Sequence, residues 1–114
     1  MVGDEPYVRS PQQVQGDSVL FHCAVSENTE LQVLASKDIV EDTRKAPADK
    51  LAQLKRIQGI VNFHCILRTL ELQKKNQMEA YGPLITDIPT IGFSTYGEEF
   101  IRHINQTSTM LVFT

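Results

Sequence analysis

The chain has 114 residues, enough for one domain with a single modest core. Hydrophobic residues at 41% and charged residues at 22% fit a folded globular protein and argue against a disordered tail. A net charge of −3 and a pI near 5.5 argue against a nucleic-acid binder, which needs a basic face to neutralise phosphates.

The basic residues Lys37, Arg44, Lys45, Lys50, Lys55 and Arg56 are interleaved with acids, as on a solvated helix face. No segment reaches the roughly 18 consecutive apolar residues of a membrane span. Met1–Pro6 has neither the basic nor the apolar region of a secretory signal, so a cytoplasmic location is expected. Asn105-Gln106-Thr107 matches a glycosylation sequon, which without such a signal reads as coincidence. Two cysteines, Cys23 and Cys65, are too few for a disulfide framework and fit a reducing compartment, although one pair remains open to them.

In chain order, residues 1–5 are expected to be disordered or cloning-derived, and Tyr7–Pro11 reads as a short edge strand closed by its proline. Ser18–Val25 alternates as a strand, Ser26-Glu27-Asn28 as a hairpin turn, and Leu31–Ala35 as the half-exposed partner strand. Asp38 with Glu41 resembles a capping box. Pro47 predicts a break near Ala46 and a restart, with Ala48, Leu51, Leu54 and Ile57 facing the core and Gly59 ending the helix.

Ile60–Cys65 reads as a buried central strand. A second helix carries Leu67, Leu70, Met78 and Tyr81 and stops at Gly82-Pro83, and Thr90–Thr95 and Ser108–Phe113 are the closing strands. The expected fold class is α+β in one domain over residues 1–114. It would comprise a single mixed, mostly antiparallel sheet of five to six strands with two main helices, in the order β-β-β-α-β-α-β-β.

The segment from Ile60 to Phe93 is long enough for a crossover between parallel strands. The carboxyl ends of those strands, at Cys65 and Arg68 and at Thr95, Tyr96, Gly97 and Glu98, would then share one rim with Asn105 and Thr107 at the start of the last strand. Ligands favour that rim in α/β sheets. Arg68 could clamp a carboxylate or phosphate of a ligand, or pair structurally with Glu98. Glu98 could anchor an ammonium group, and Tyr96 could hydrogen-bond a ligand or cap the sheet.

Cys65 at a helix N-terminus is either an activated thiol or, more commonly, an inert buried one. Asn105 and Thr107 read more readily as loop-fixing residues. His22, His64 and His103 lack zinc-ligand spacing, whereas haem, needing one axial histidine, is not excluded by spacing. His64 and Cys65 alternate across the strand, so they form no nucleophile–base pair.

Four motifs, Tyr7-Val8-Arg9-Ser10-Pro11, Phe63-x-Cys65-x-x-Arg68, Gly92-Phe93-x-Thr95-Tyr96-Gly97-Glu98 and Asn105-Gln106-Thr107, occur in an order and spacing that resembles the C-terminal half of the FIST sensor proteins. The resemblance implies a bacterial or archaeal intracellular sensor domain, preceded by an N-terminal FIST half and joined to chemotaxis, kinase or cyclic-dinucleotide modules. Some relatives are linked to haem and nitric oxide, but His64 falls at a variable position of the Phe-x-Cys motif, so no haem role carries over to it.

The first expectation is therefore a non-catalytic sensory domain without cofactor. It would bind a small polar ligand, such as an amino acid, through Arg68, Tyr96 and Glu98, and relay binding to a signalling partner. A haem-based gas sensor and a structural or dimerisation module are the alternatives. Expected partners are the ligand, the N-terminal half, an effector domain and a second copy in a homodimer, with no nucleic acid or membrane.

Overall fold

The computed structural model describes residues 7–54, 56–96, 99–100 and 102–114. Three strands and the helices on one side of them organise the molecule. β3 (Gly59–Cys65) lies in the middle, parallel to β4 (Thr90–Thr95) on one flank and antiparallel to β7 (Ser108–Phe113) on the other. The crossover and the reversal expected from the sequence are both present, and the two closing strands have the expected bounds.

The expected single sheet of five to six strands is not formed. The ladders are separate: β1 (Pro11–Gln15) with β2 (Ser18–Phe21), the three-stranded sheet β4-β3-β7, and the two-residue pair β5 (Glu99–Phe100) with β6 (Arg102–His103). The first expected hairpin forms one turn earlier in the chain. Gly16-Asp17 is a two-residue connection between Gln15 and Ser18, and Gly16 takes a φ of 57°, which a side chain would resist. The edge strand placed at Tyr7–Pro11 accordingly begins at Pro11. The turn at Ser26-Glu27-Asn28 does form, with Asn28 at φ 56° and the Thr29 amide donating to the Ser26 carbonyl, but residues 31–35 make no strand after it. Alternation alone does not make a strand where no backbone partner lies beside it.

The first helix, α1 (Ile39–Leu54), is capped as expected, with Asp38 Oδ1 accepting the amides of Val40 and Glu41 at 2.9 and 3.1 Å. It runs through Pro47 without the predicted break. A proline in a helix interior costs about 3 kcal/mol, and here the helix continues on both sides of it although its neighbours are exposed. The core-facing residues lie in its first turns, Ile39, Val40 and Thr43, whereas Ala48 and Leu54 are exposed and the Leu51 side chain lies outside the described residues. Gly59 opens β3 instead of closing the helix.

The second expected helix is divided. α2 (Ile66–Lys74) stops before Asn76, which takes a φ of 54°, and α3 (Met78–Tyr81) leads into a 3₁₀ turn, Gly82–Ile85. Within α2 the core contact is made by Leu72, which is fully buried, and not by Leu70, which is exposed.

Leu72 forms a small core with Ile39 and Val40, flanked by Tyr81 and Leu84. The radius of gyration is 15.7 Å, against about 13 Å for a compact chain of this length. The layer is thin because helices cover only one face of the central sheet.

Candidate functional site

Strand alternation divides the central sheet into two unlike faces. Ile60, Asn62 and His64 of β3 share the helix-covered face with Thr90, Gly92 and Ser94 of β4 and with Val112, Met110 and Ser108 of β7. All three β3 residues are buried. A Cβ on Gly92 would sit 2.5 Å from the Asn62 carbonyl oxygen, so the two strands approach more closely here than any side chain permits. Asn62 Oδ1 accepts from the Ser108 hydroxyl at 2.7 Å.

His64 is the hub of a polar chain across this face. Arg68 Nε donates to His64 Nε2 at 3.3 Å, His64 Nδ1 lies 3.2 Å from Thr69 Oγ1, and Thr69 Oγ1 lies 2.8 Å from Ser94 Oγ. A guanidinium can only donate, so Nε2 is the acceptor and the ring carries its proton on Nδ1, which donates to Thr69. Between the Thr69 and Ser94 hydroxyls either can donate. At the other end Arg68 Nη2 donates to Thr43 Oγ1 at 2.9 Å. The Tyr81 ring packs against the imidazole at a centroid distance of 5.1 Å.

The chain joins two hollows. One, of about 500 Å³, lies between β4 and the α3–3₁₀ segment, bordered by Asn62, His64, Tyr81, Thr86, Thr90 and Ser94. The other, of about 290 Å³, lies between α1 and the sheet. Ile60, Met110 and Val112 are among its apolar walls, and Asp42, Lys50 and Arg68 bring charge to it.

Arg68 is half-buried, and its hydrogen-bond partners, Thr43 and His64, are both neutral. The ion pairs found among the described residues, Glu41 with Arg44 and Lys45 and Glu71 with Lys75, do not include it. Its charge still reaches Glu71. Burial pushes that carboxyl up, but hydrogen bonds from Lys75 and Ser36 and the charges of Lys75 and Arg68 outweigh it and hold the pKa below the ordinary value.

The expected rim is partly assembled. Cys65 stands opposite Thr95 in the parallel register, its amide donates to the Thr107 carbonyl at 2.9 Å, and Thr95 Oγ1 donates to the His64 carbonyl at 3.3 Å. Tyr96 follows at the same edge, 83% exposed. Gly97 and Glu98 lie outside the described residues, so the expected Arg68–Glu98 pair does too.

Arg68 does not point along this rim but turns to the helix-covered face, and of the expected site residues that are described it alone borders one of the two hollows. Asn105 is buried, and its Oδ1 accepts from the Ser10 amide at 3.1 Å and the Cys23 thiol at 3.2 Å, which ties the N-terminal hairpin to the rim. Thr107 Oγ1 is buried and has no hydrogen-bond partner. Neither Cys23 nor Cys65 forms a disulfide among the described residues, and Cys65 is buried.

Thr43, Asn62 and Asp42 were not among the residues singled out from the sequence, and His64 was weighed there only as a metal or haem ligand or as a base to Cys65. The available signal was Asn62 and His64 two apart inside an apolar strand, since buried polar residues on one face require partners. Among the described residues no three His, Cys, Asp or Glu side chains are grouped to hold a metal, and no helix is long and apolar enough to cross a membrane.

A family model described as the FIST C domain matches residues 1–100. No curated protein and no solved structure matches the chain.

Proposed function

The chain belongs to the FIST C domain family, whose members are sensory domains of signalling proteins, and on that premise we propose that it binds a small polar ligand in the hollow between α1 and the sheet, with Arg68 as the anchor. The observation that carries this reading is the half-buried guanidinium whose hydrogen-bond partners are neutral. A partly desolvated cation is stabilised by an anion far more than by hydroxyls, and its planar fork suits a carboxylate. Asp42 at the same hollow offers an acceptor for an ammonium group, and Ile60, Met110 and Val112 offer an apolar floor. That combination suits an α-amino acid.

The domain acts without catalysis or a resident cofactor. Cys65 is buried and the one ring on the covered face, His64, has both nitrogens engaged, which favours a ligand-binding role over nucleophilic or haem chemistry. Cys65, Thr95 and Thr107 brace the strand-to-helix junction from which Arg68 projects, and Tyr96 and Asn105 belong to the same edge. Ligand binding alters the Arg68–His64–Ser94 chain and is relayed to a signalling partner in the cytoplasm.

Thermal-shift measurements with free amino acids and short carboxylates test the reading. A ligand at about 100 times its dissociation constant stabilises the wild-type protein by about 2.7 kcal/mol. Arg68→Ala is expected to lose that stabilisation and Asp42→Asn to lose it for amino acids while keeping it for simple carboxylates. Stabilisation that survives in Arg68→Ala would place the ligand elsewhere.

A further inference from the structure

We propose that the uncovered face of the central sheet is a dimer interface that receives the same face of a second copy of this chain. The positions on this face are Val61 and Phe63 of β3, Ile91, Phe93 and Thr95 of β4, and Thr109, Leu111 and Phe113 of β7, with Gly59 and Cys65 at its ends. None carries a charge. Ile91 is 71% exposed, Phe93 59%, Leu111 54% and Phe113 50%. Phe63 and Phe93 meet edge to face at 5.5 Å in the middle of this surface.

An apolar surface of about 500 Å² is at the upper end of what an ordinary monomer exposes. Two such faces would remove about 1,000 Å² from water, at the area where a specific interface becomes credible.

The shape of the face selects its occupant. Three strands at about 4.8 Å spacing span roughly 14 Å, and six residues along each span about 20 Å. A single helix, about 10 Å across, would leave one strand's row of side chains wet. An identical three-stranded face covers all three rows, in the aligned packing that twisted sheets adopt about 10 Å apart. With no charge on the face, nothing selects a partner of opposite sign, and the twofold relation makes the patch its own complement. The Phe63–Phe93 pair sits at the centre, where aromatic anchors contribute most to an interface. The proposal is independent of the ligand reading, since Arg68 and the hollow it borders lie on the opposite face.

Sedimentation equilibrium of the full chain tests it directly. The wild type is expected to approach twice 12.9 kDa with rising concentration and to stop there. Phe93→Glu and Leu111→Lys should each weaken association by at least about tenfold. Both residues are exposed, so circular dichroism and melting should remain those of the wild-type monomer. Backbone amide shifts on dilution should be confined to β3, β4 and β7. A wild type that stays monomeric at millimolar concentration would overturn the proposal, as would a dimer unaffected by both charges, growth beyond two copies, or dilution shifts confined to the helices.

Discussion

On the helix-covered face of β3, buried Asn62 and His64 spend their polar groups on Ser108, Thr69 and Arg68, while on the other face Phe93, Ile91 and Leu111 meet solvent. This inverts the usual alternation of a half-buried strand, in which apolar residues point inward. The polar residues are inside because they build a hydrogen-bond chain between two hollows. The apolar residues are outside because this domain alone does not supply what covers them. The face that looks most like a core is therefore the one to test for a partner, and the face that looks least like one is where to test for a ligand.

The largest expected stability difference between the faces comes from truncating one leucine on each side. Leu72→Ala removes the fully buried side chain between α1 and α2 and should cost about 2–5 kcal/mol in urea unfolding. Leu111→Ala on the open face of the monomer should stay within about 0.5 kcal/mol. Equal costs would mean that the open face is packed.

A smaller contrast lies within β4. Gly92→Ala forces a methyl against the Asn62 carbonyl and should cost about 1–3 kcal/mol, whereas Ile91→Ala, its exposed neighbour, should be close to neutral. A neutral Gly92→Ala would show that β3 and β4 separate without penalty.

The smallest effect concerns Glu71. Its pKa is below 4.5 in the folded protein and near 4.5 in the unfolded chain, so its contribution to stability is present above pH 4.5 and is lost as pH falls below that value through the folded pKa. Wild type should therefore lose stability more steeply than Glu71→Gln on acidification below 4.5. Parallel pH profiles would remove the Glu71 contribution.

Much of the central sheet was legible in the sequence because its strands are short, apolar and bounded by turn residues. The 24 residues between Cys65 and Thr90 are long enough for a parallel crossover, and the shorter return to Ser108 favours an antiparallel strand, as the structure has them. The hairpin was misplaced because the alternation of Leu31, Val33 and Ala35 looked like a strand, while Gly16-Asp17, a stronger turn signal by backbone freedom, went unread. Pro47 was read as a break because its local penalty was taken as decisive, whereas α1 runs on through it.

Of the candidate site, the meeting of Cys65, Thr95, Asn105 and Thr107 at one edge followed from topology alone. The direction of Arg68 did not. It depends on where α2 turns after Cys65 and on Thr43, 25 residues earlier, and no local pattern encodes that pair.

The most direct measurement of the ligand proposal is a titration of protein labelled with ¹⁵N-arginine, following the Nε–H resonances as free amino acids are added to about 10 mM, which is ample for a millimolar or tighter site. The expected result is a saturable shift of the Arg68 resonance, with Arg9, Arg44, Arg56 and Arg102 unmoved. An Arg68 resonance that stays fixed throughout, or moves no more than the other four, would contradict the assignment of Arg68 as the ligand's anchor.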